Sequence, residues 1–218
     1  MFDELIMNDY IFPALRAPLK FYAVVPNEDW VYRMIEAGAT TVQLRMKNAD
    51  VATRKLAIRH CVEAVYNKPT QLFINDYWQE AIDEGAYGVH LGQEDLNDAD
   101  LSALSRSGLR LGISTHSDDE LQLALSVHPS YVACGAIFPT KTKVMPTQPQ
   151  GLERLRHYVA MAGNTPTVAI GGIDLNNAQD VLACGVSSLA VVRAVTEAEN
   201  PEAVVQQFLA LWETYPVK

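Results

Sequence analysis

The chain is poor in cysteine: Cys61, Cys134 and Cys184 are the only three among 218 residues, widely spaced and odd in number. That argues against a disulfide framework or a structural zinc site and fits a reducing compartment. Long apolar runs are missing, so no membrane span is expected. The start, MFDELIMNDY, lacks a basic segment and carries Asp3 and Glu4, so no secretory leader is expected. Excess positive charge is also missing. Lys and Arg number 17 against 26 Asp and Glu, a formal net charge of −9. Such a chain is not expected to bind nucleic acid or an anionic membrane. An anionic ligand would have to be held by local cations, backbone N–H groups or a metal ion. With no linker or low-complexity stretch either, the chain reads as a single-domain, soluble cytoplasmic protein. Its oligomeric state is left open.

What is present is alternation. The composition is 49% hydrophobic, enough for a large core. Short apolar runs recur: FYAVV (21–25), TTVQLR (40–45), QLFIND (71–76), GVHLG (88–92), LRLGIS (109–114), YVACGAI (131–137), PTVAIGG (166–172) and SSLAVVRAV (187–195). Each is followed by a more polar stretch. Several of these have helical periodicity, such as 50–68, where Leu56, Ala57, Cys61, Ala64 and Val65 fall near one face. Strands alternating with helices imply right-handed crossovers and a parallel sheet. Eight units in about 200 residues fit a closed (β/α)8 TIM barrel. An open doubly wound sheet is the structural rival. Residues 1–20 form an N-terminal extension, with IFPALRAP as a short helix or loop closing the barrel bottom, and residues 21–218 form the catalytic domain.

Active sites of such barrels lie at the carboxyl ends of the strands. Polar residues gather there: Arg45 and Lys47 after strand two, Asn75 and Asp76 after strand three, His90 to Asp95 at strand four. Ser114 and His116 follow strand five, PTKTK (139–143) follows strand six, and Gly171 and Gly172 follow strand seven. Taken singly, each has an ordinary reading. Asp76 could cap a helix, Asp95 could favour a helix N-terminus, and His90 could be a hydrogen-bonded interior residue. PTKTK could be a solvated loop, and the glycines a tight turn. Jointly they suggest more. Arg45, Lys47 and Lys143 would ring the mouth with positive charge. Asp76 and Asp95 suit Mg2+, which takes two carboxylates plus phosphate oxygens and water. Backbone N–H groups at the last strand ends would cradle a phosphate. In TTVQLRMK (40–47), a barrel would turn Val42, Leu44 and Met46 outward and Gln43, Arg45 and Lys47 inward.

The series QLRMK (43–47), ND (75–76), HLGQED (90–95), GIS (112–114), PTKTK (139–143) and AIGGI (169–173) resembles that of the thiamine phosphate synthase family. The motifs occur in the family's order, over roughly residues 21–201. The resemblance implies a Mg2+-dependent transferase joining 4-amino-2-methyl-5-pyrimidinylmethyl diphosphate to a thiazole phosphate, giving thiamine phosphate and pyrophosphate. The diphosphate would leave first, and the thiazole nitrogen would trap the pyrimidinylmethyl cation. By matching motif, Arg45, Lys47, Asn75 and Lys143 would hold the diphosphate, with Ser114 beside it. Asp76 and Asp95 would ligate Mg2+, Gln43 would face the pyrimidine, and Thr140, Thr142 and the Gly172 backbone would bind the thiazole phosphate. One departure stands out. Family members often carry a small polar residue near Arg193, where this chain reads AVVRAV, and no side-chain role is assigned to Arg193. Three rivals are a thiazole tautomerase-like paralogue, a phosphosugar epimerase or isomerase barrel, and a non-catalytic thiamine-precursor binding protein. The first would have no need for Arg45, Lys47, Asp76, Asp95 and Lys143 together. The second would need an acid/base pair facing a sugar.

Overall fold

The computed structural model describes residues 10–142 and 148–215. Eight parallel strands close into one barrel, each paired with its neighbour in chain order and β8 returning to β1. They are β1 (Lys20–Val25), β2 (Thr41–Leu44), β3 (Gln71–Asn75), β4 (Gly88–Leu91), β5 (Arg110–Thr115), β6 (Tyr131–Gly135), β7 (Thr167–Ile170) and β8 (Ser188–Val191). The expected (β/α)8 barrel is the fold, and the open doubly wound sheet is excluded.

Helices follow the strands around the outside: α1 (Glu28–Glu36), α2 (Val51–Ala64), α3 (Trp78–Asp83), α4 (Gln93–Asp98), α5 (Leu101–Ser107), α6 (Asp118–Ser126), α7 (Gly151–Ala162), α8 (Ala178–Leu182), α9 (Arg193–Thr196) and α10 (Pro201–Thr214). Many starts are written in the sequence. Asn27, Asp50, Asp100, Ser117 and Asn200 each accept a backbone N–H of the first turn through the side chain. Such a cap contributes about 1 kcal/mol by giving an orphan donor its partner. Two expectations need correction. Helix α2 ends at Ala64, not near Lys68, and it buries Ala57, Ile58 and Cys61 while Leu56 is 51% exposed. The run expected as strand to Val195 stops at Val191, and Arg193 opens the short α9.

Period-two alternation sorts the strand residues into two cores. Outward side chains such as Val42, Leu44, Val89, Leu111, Ile113 and Leu189 join the helices in a continuous outer layer, with Met46 half-buried against it. Inward side chains Tyr22, Val24, Phe73, Tyr131, Ala133, Val168 and Ala190 fill the barrel itself. Three aromatic rings meet at its centre, with centroid separations of 5.1 to 6.0 Å. They fit because β5 gives up a side chain there: a Cβ on Gly112 would lie 2.1 Å from the Tyr131 ring.

Residues 10–19 run as irregular chain beneath the barrel, the loop form of the expected closure. Arg16 donates to the carbonyls of Lys68, Pro69 and Thr70, and its backbone N–H donates to the Tyr87 hydroxyl. Arg110 donates to the Ala14 carbonyl and lies over the same Tyr87 ring. Ser130 donates to the Pro13 carbonyl. The bottom of the barrel is thus sealed by side-chain bonds to the chain that crosses it. No described helix is long and apolar enough to cross a membrane.

Candidate active site

The carboxyl ends of the strands surround a cavity of about 240 Å³. Gln43, Arg45, Lys47, Asn75, Asp76, Asp95, Ser114, Thr140, Thr142 and Gly172 all line it. Of the residues expected there, Lys143 alone lies outside the described residues. His90, His116 and Arg193 line the same space.

The alternation of β2 sets one wall. Gln43 is register partner of Val24 on β1 and Phe73 on β3, both interior. Its neighbours two and four residues on, Arg45 and Lys47, then rise toward the rim. The Arg45 N–H still bonds to the Val25 carbonyl at 2.8 Å, extending the ladder and fixing where the guanidinium starts. The loop beyond is braced from outside. Arg54 donates to the Ala49 carbonyl at 2.8 Å, pairs with the buried Glu80 carboxylate at 2.6 Å and lies over Tyr77 at 3.9 Å. One guanidinium therefore ties the loop bearing Lys47 to the start of the chain after Asp76.

Asp76 does not cap a helix. The cap position of α3 belongs to Tyr77, which makes no side-chain cap bond. Asp76 instead has a left-handed backbone, φ 65°, costly for a residue with a Cβ, and its N–H bonds to the His90 carbonyl at 2.9 Å. That conformation turns its carboxyl into the cavity beside Asp95, from the first turn of α4. Burial, and then the Asp95 charge within hydrogen-bonding reach, push Asp76 up to about 6, against the pull of the Asn75 side chain and Arg45. Two carboxylates forced together at a pocket wall want a cation. Among the described residues no group of three or more His, Cys, Asp or Glu could hold a metal ion. The pair thus fits Mg2+, which commonly takes one or two protein carboxylates and completes its shell with phosphate oxygens and water. It does not fit a closed protein cage.

The opposite rim is backbone. Gly171 and Gly172 have φ 103° and 66°, in the region that glycine alone enters cheaply. A Cβ on Gly172 would sit 2.7 Å from both Phe138 Cβ and the Pro139 carbonyl oxygen. This close approach presses the strand-seven turn against the chain leading to Thr140 and Thr142. Asn177 donates to the Gly172 carbonyl at 2.9 Å, holding the turn from below. Arg193 reaches the rim but bonds to Glu197 at 2.8 Å, one helical turn on, in the open.

The floor was the least legible part. His90 on β4 is the hydrogen-bonded interior histidine expected on ordinary grounds: Nδ1 lies 2.8 Å from the Tyr131 hydroxyl and Nε2 2.8 Å from Ser114 Oγ. Tyr22 also reaches the cavity, and sequence reasoning passed over both tyrosines. The signal for them was parity: Tyr22 and Tyr131 occupy inward positions of their strands. His116 lines the mouth while its N–H and Nδ1 both meet Glu120 Oε2, at 2.7 and 2.8 Å.

Comparison with known proteins agrees with this geometry. The family model described as thiamine monophosphate synthase matches residues 21–195. A thiamine-phosphate synthase of Neisseria meningitidis serogroup B is 67% identical over 202 residues, covering 93% of this chain and 98% of its own length. The protein of the same name from Serratia proteamaculans is 50% identical, with 93% and 95% covered. The solved thiamine phosphate pyrophosphorylase of Pyrococcus furiosus superposes with a TM-score of 0.81 at 30% identity, over 91% of this chain and 98% of its own.

Proposed function

This chain belongs to the thiamine monophosphate synthase family, and we propose a reading of its cavity that starts from that fact. Its activity is a transferase reaction: 4-amino-2-methyl-5-pyrimidinylmethyl diphosphate and a thiazole phosphate condense to thiamine phosphate and pyrophosphate. The difficulty of that reaction lies in parting an anionic leaving group from a carbocation. The residues that would ease it are those whose charge faces the cavity. Arg45 and Lys47 hold the diphosphate from the β2 wall, Asn75 donates from β3 and Ser114 from β5. Lys143, which lies outside the described residues, is the remaining cation that the family resemblance assigns to the diphosphate. Each interaction strengthens as negative charge gathers on the departing oxygens, which lowers the barrier rather than only binding substrate.

Asp76 and Asp95 would hold Mg2+, which when bound neutralises diphosphate charge and orients the group. Gln43 meets the pyrimidine at the floor, where Val24, Ala133 and Ile170 give the ring an apolar bed. Thr140, Thr142 and the Gly172 N–H bind the thiazole phosphate at the far rim, so the thiazole nitrogen waits beside the reacting carbon. Holding it there makes capture effectively intramolecular. No general base or covalent nucleophile is called for. The catalytic domain is taken as residues 21–218 and the cytoplasm as its place. Burial holds Cys61 up to about 12 and Cys134 up to about 11, so both are unreactive thiols suited to a reducing compartment.

The observation that carries this reading is the convergence of Arg45, Lys47, Asp76, Asp95 and Ser114 on one wall of the cavity, opposite the Gly172 turn. A tautomerase-like paralogue has no diphosphate to hold, and a precursor sensor needs no transition-state cations. The test is direct. Purified protein with both substrates should form thiamine phosphate and pyrophosphate in equal amounts, dependent on Mg2+. Binding of both substrates without product would sink the reading.

A further inference from the structure

Beneath the cavity runs a row of hydrogen-bonding groups whose middle members, Tyr22, Tyr131 and His90, the reaction as described does not use. Gln43 Nε2 donates to the Tyr22 hydroxyl at 2.9 Å. The Tyr22 and Tyr131 hydroxyls are 2.7 Å apart. Tyr131 meets His90 Nδ1 at 2.8 Å, and His90 Nε2 meets Ser114 Oγ at 2.8 Å. The row crosses the barrel from β2 to β5 by way of β1, β6 and β4.

Counting protons leaves two polarities, and the charge of the cavity chooses between them. A tyrosine hydroxyl has one, and a neutral imidazole has one on its two nitrogens. Burial pushes both phenols well above their ordinary range, so both keep their protons. An amide nitrogen can only donate. In one polarity Gln43 donates to Tyr22, Tyr22 gives its proton to Tyr131, and Tyr131 gives its own to His90 Nδ1. The ring proton then sits on Nε2 and goes to Ser114 Oγ. Ser114 thereby has its acceptor engaged and its own proton left for the cavity. The reverse polarity would spend the Ser114 proton on the ring and aim lone pairs at the cavity. With Arg45 and Lys47 on the same walls, the cavity suits an anion, which lone pairs would repel.

We propose that Tyr22, Tyr131 and His90 are positioning residues: a directional relay that starts at the Gln43 amide and turns the Ser114 hydroxyl proton toward the leaving diphosphate. The proposal rests on the diphosphate reading of Ser114. The packing suits a fixed relay. The His90 and Tyr131 rings stack at 5.6 Å, and Phe73 wedges both tyrosines.

The test reads the His90 tautomer. In substrate-free protein carrying 15N-labelled histidine, the ring shifts should report a neutral His90 with its proton on Nε2. Gln43→Glu replaces a donor by a carboxylate that only accepts, so at pH 8 the row should reverse and the proton should move to Nδ1, three side chains away. A wild-type proton on Nδ1, or the same tautomer in both proteins, would overturn the relay. Tyr131→Phe gives a second reading through kinetics. Its kcat should fall on the order of 10- to 100-fold, the worth of a hydrogen bond to a charged group, with KM for the diphosphate substrate nearly unchanged. Undiminished kcat, or a loss confined to KM, would overturn it. The NMR arm needs no substrate, so it stands or falls apart from the synthase reading.

Discussion

The two ends of this barrel spend the same residue types differently. At the bottom, Arg16 is used up on three carbonyls and Arg110 on a fourth, both over the Tyr87 ring. At the mouth, Arg45 and Lys47 face a cavity, and no ion pair or side-chain hydrogen bond engages them among the described residues. Carboxyls divide likewise. Glu84 and Glu202 are matched by Arg59 and Arg33 on the outer surface, and the buried Glu80 by Arg54. Asp76 is set against another carboxylate. A charge satisfied within the fold stabilises it. A charge left facing a hollow, on a strained backbone, costs stability and is kept for a ligand.

Exchanging the readouts should break this comparison if it is wrong. The largest effect belongs to the mouth: Arg45→Ala should cut kcat on the order of 10²–10³-fold, as removal of one preorganised electrostatic contact does. Its melting temperature should change little, because no ion pair or side-chain hydrogen bond among the described residues is lost with it. Next comes the bottom. Arg16→Ala removes the donor to the half-buried Thr70 carbonyl and to two exposed ones, and should cost about 1 kcal/mol of stability in urea titration, with kcat unchanged. If Arg16→Ala abolished turnover in folded protein, or Arg45→Ala unfolded the chain, the division between the ends would be false.

A pH experiment sharpens the contrast within one group. Asp76 titrates near 6 in the fold and near 3.8 in an unfolded chain. Its folded pKa is the higher one, so the native state binds more protons between those values, and stability falls as pH rises from about 4 to 6. In metal-free protein, the melting temperature of Asp76→Asn relative to wild type should therefore climb across that window and level off above it. Added Mg2+ should erase the difference from the wild-type side by neutralising the pair. A flat difference would show that Asp76 and Asp95 do not strain one another.

Much of this was legible in the sequence, for a physical reason. Strand parity is local, so the alternation in residues 40–47 was enough to send Gln43, Arg45 and Lys47 inward once a closed barrel was assumed. The helix caps are local too, and Asp50, Ser117 and Asn200 announce their helices. What escaped was whatever depends on contacts across the barrel. Nothing near Gly112 in the chain says that Tyr131 will occupy the space of its missing side chain. Nothing near His90 says that a tyrosine and a serine from two other strands will meet its ring. Leu56 failed for a related reason. Helical periodicity names a face, but only the neighbouring helices decide how wide a face is covered, and here Ile58 took the inner place.

Arg193 offers the finest discrimination, because it stands at the mouth yet behaves like a charge of the outer surface. It lines the cavity, as Arg45 does, but its Nε bonds to Glu197 within α9 and both side chains are substantially exposed. If position at the mouth were what mattered, Arg193→Ala should resemble Arg45→Ala. If what matters is whether the charge is already matched, the change should be nearly silent. Exposed pairs of this spacing contribute roughly 0.3–0.5 kcal/mol. The expected outcome is therefore a kcat and a KM for the thiazole phosphate within about twofold of wild type, the range that such a small energy allows. Steady-state kinetics with the thiazole phosphate varied would decide it. A tenfold rise in KM would mean that Arg193 leaves Glu197 to meet the phosphate, and the line between spent and unspent charge would have to be redrawn at the rim.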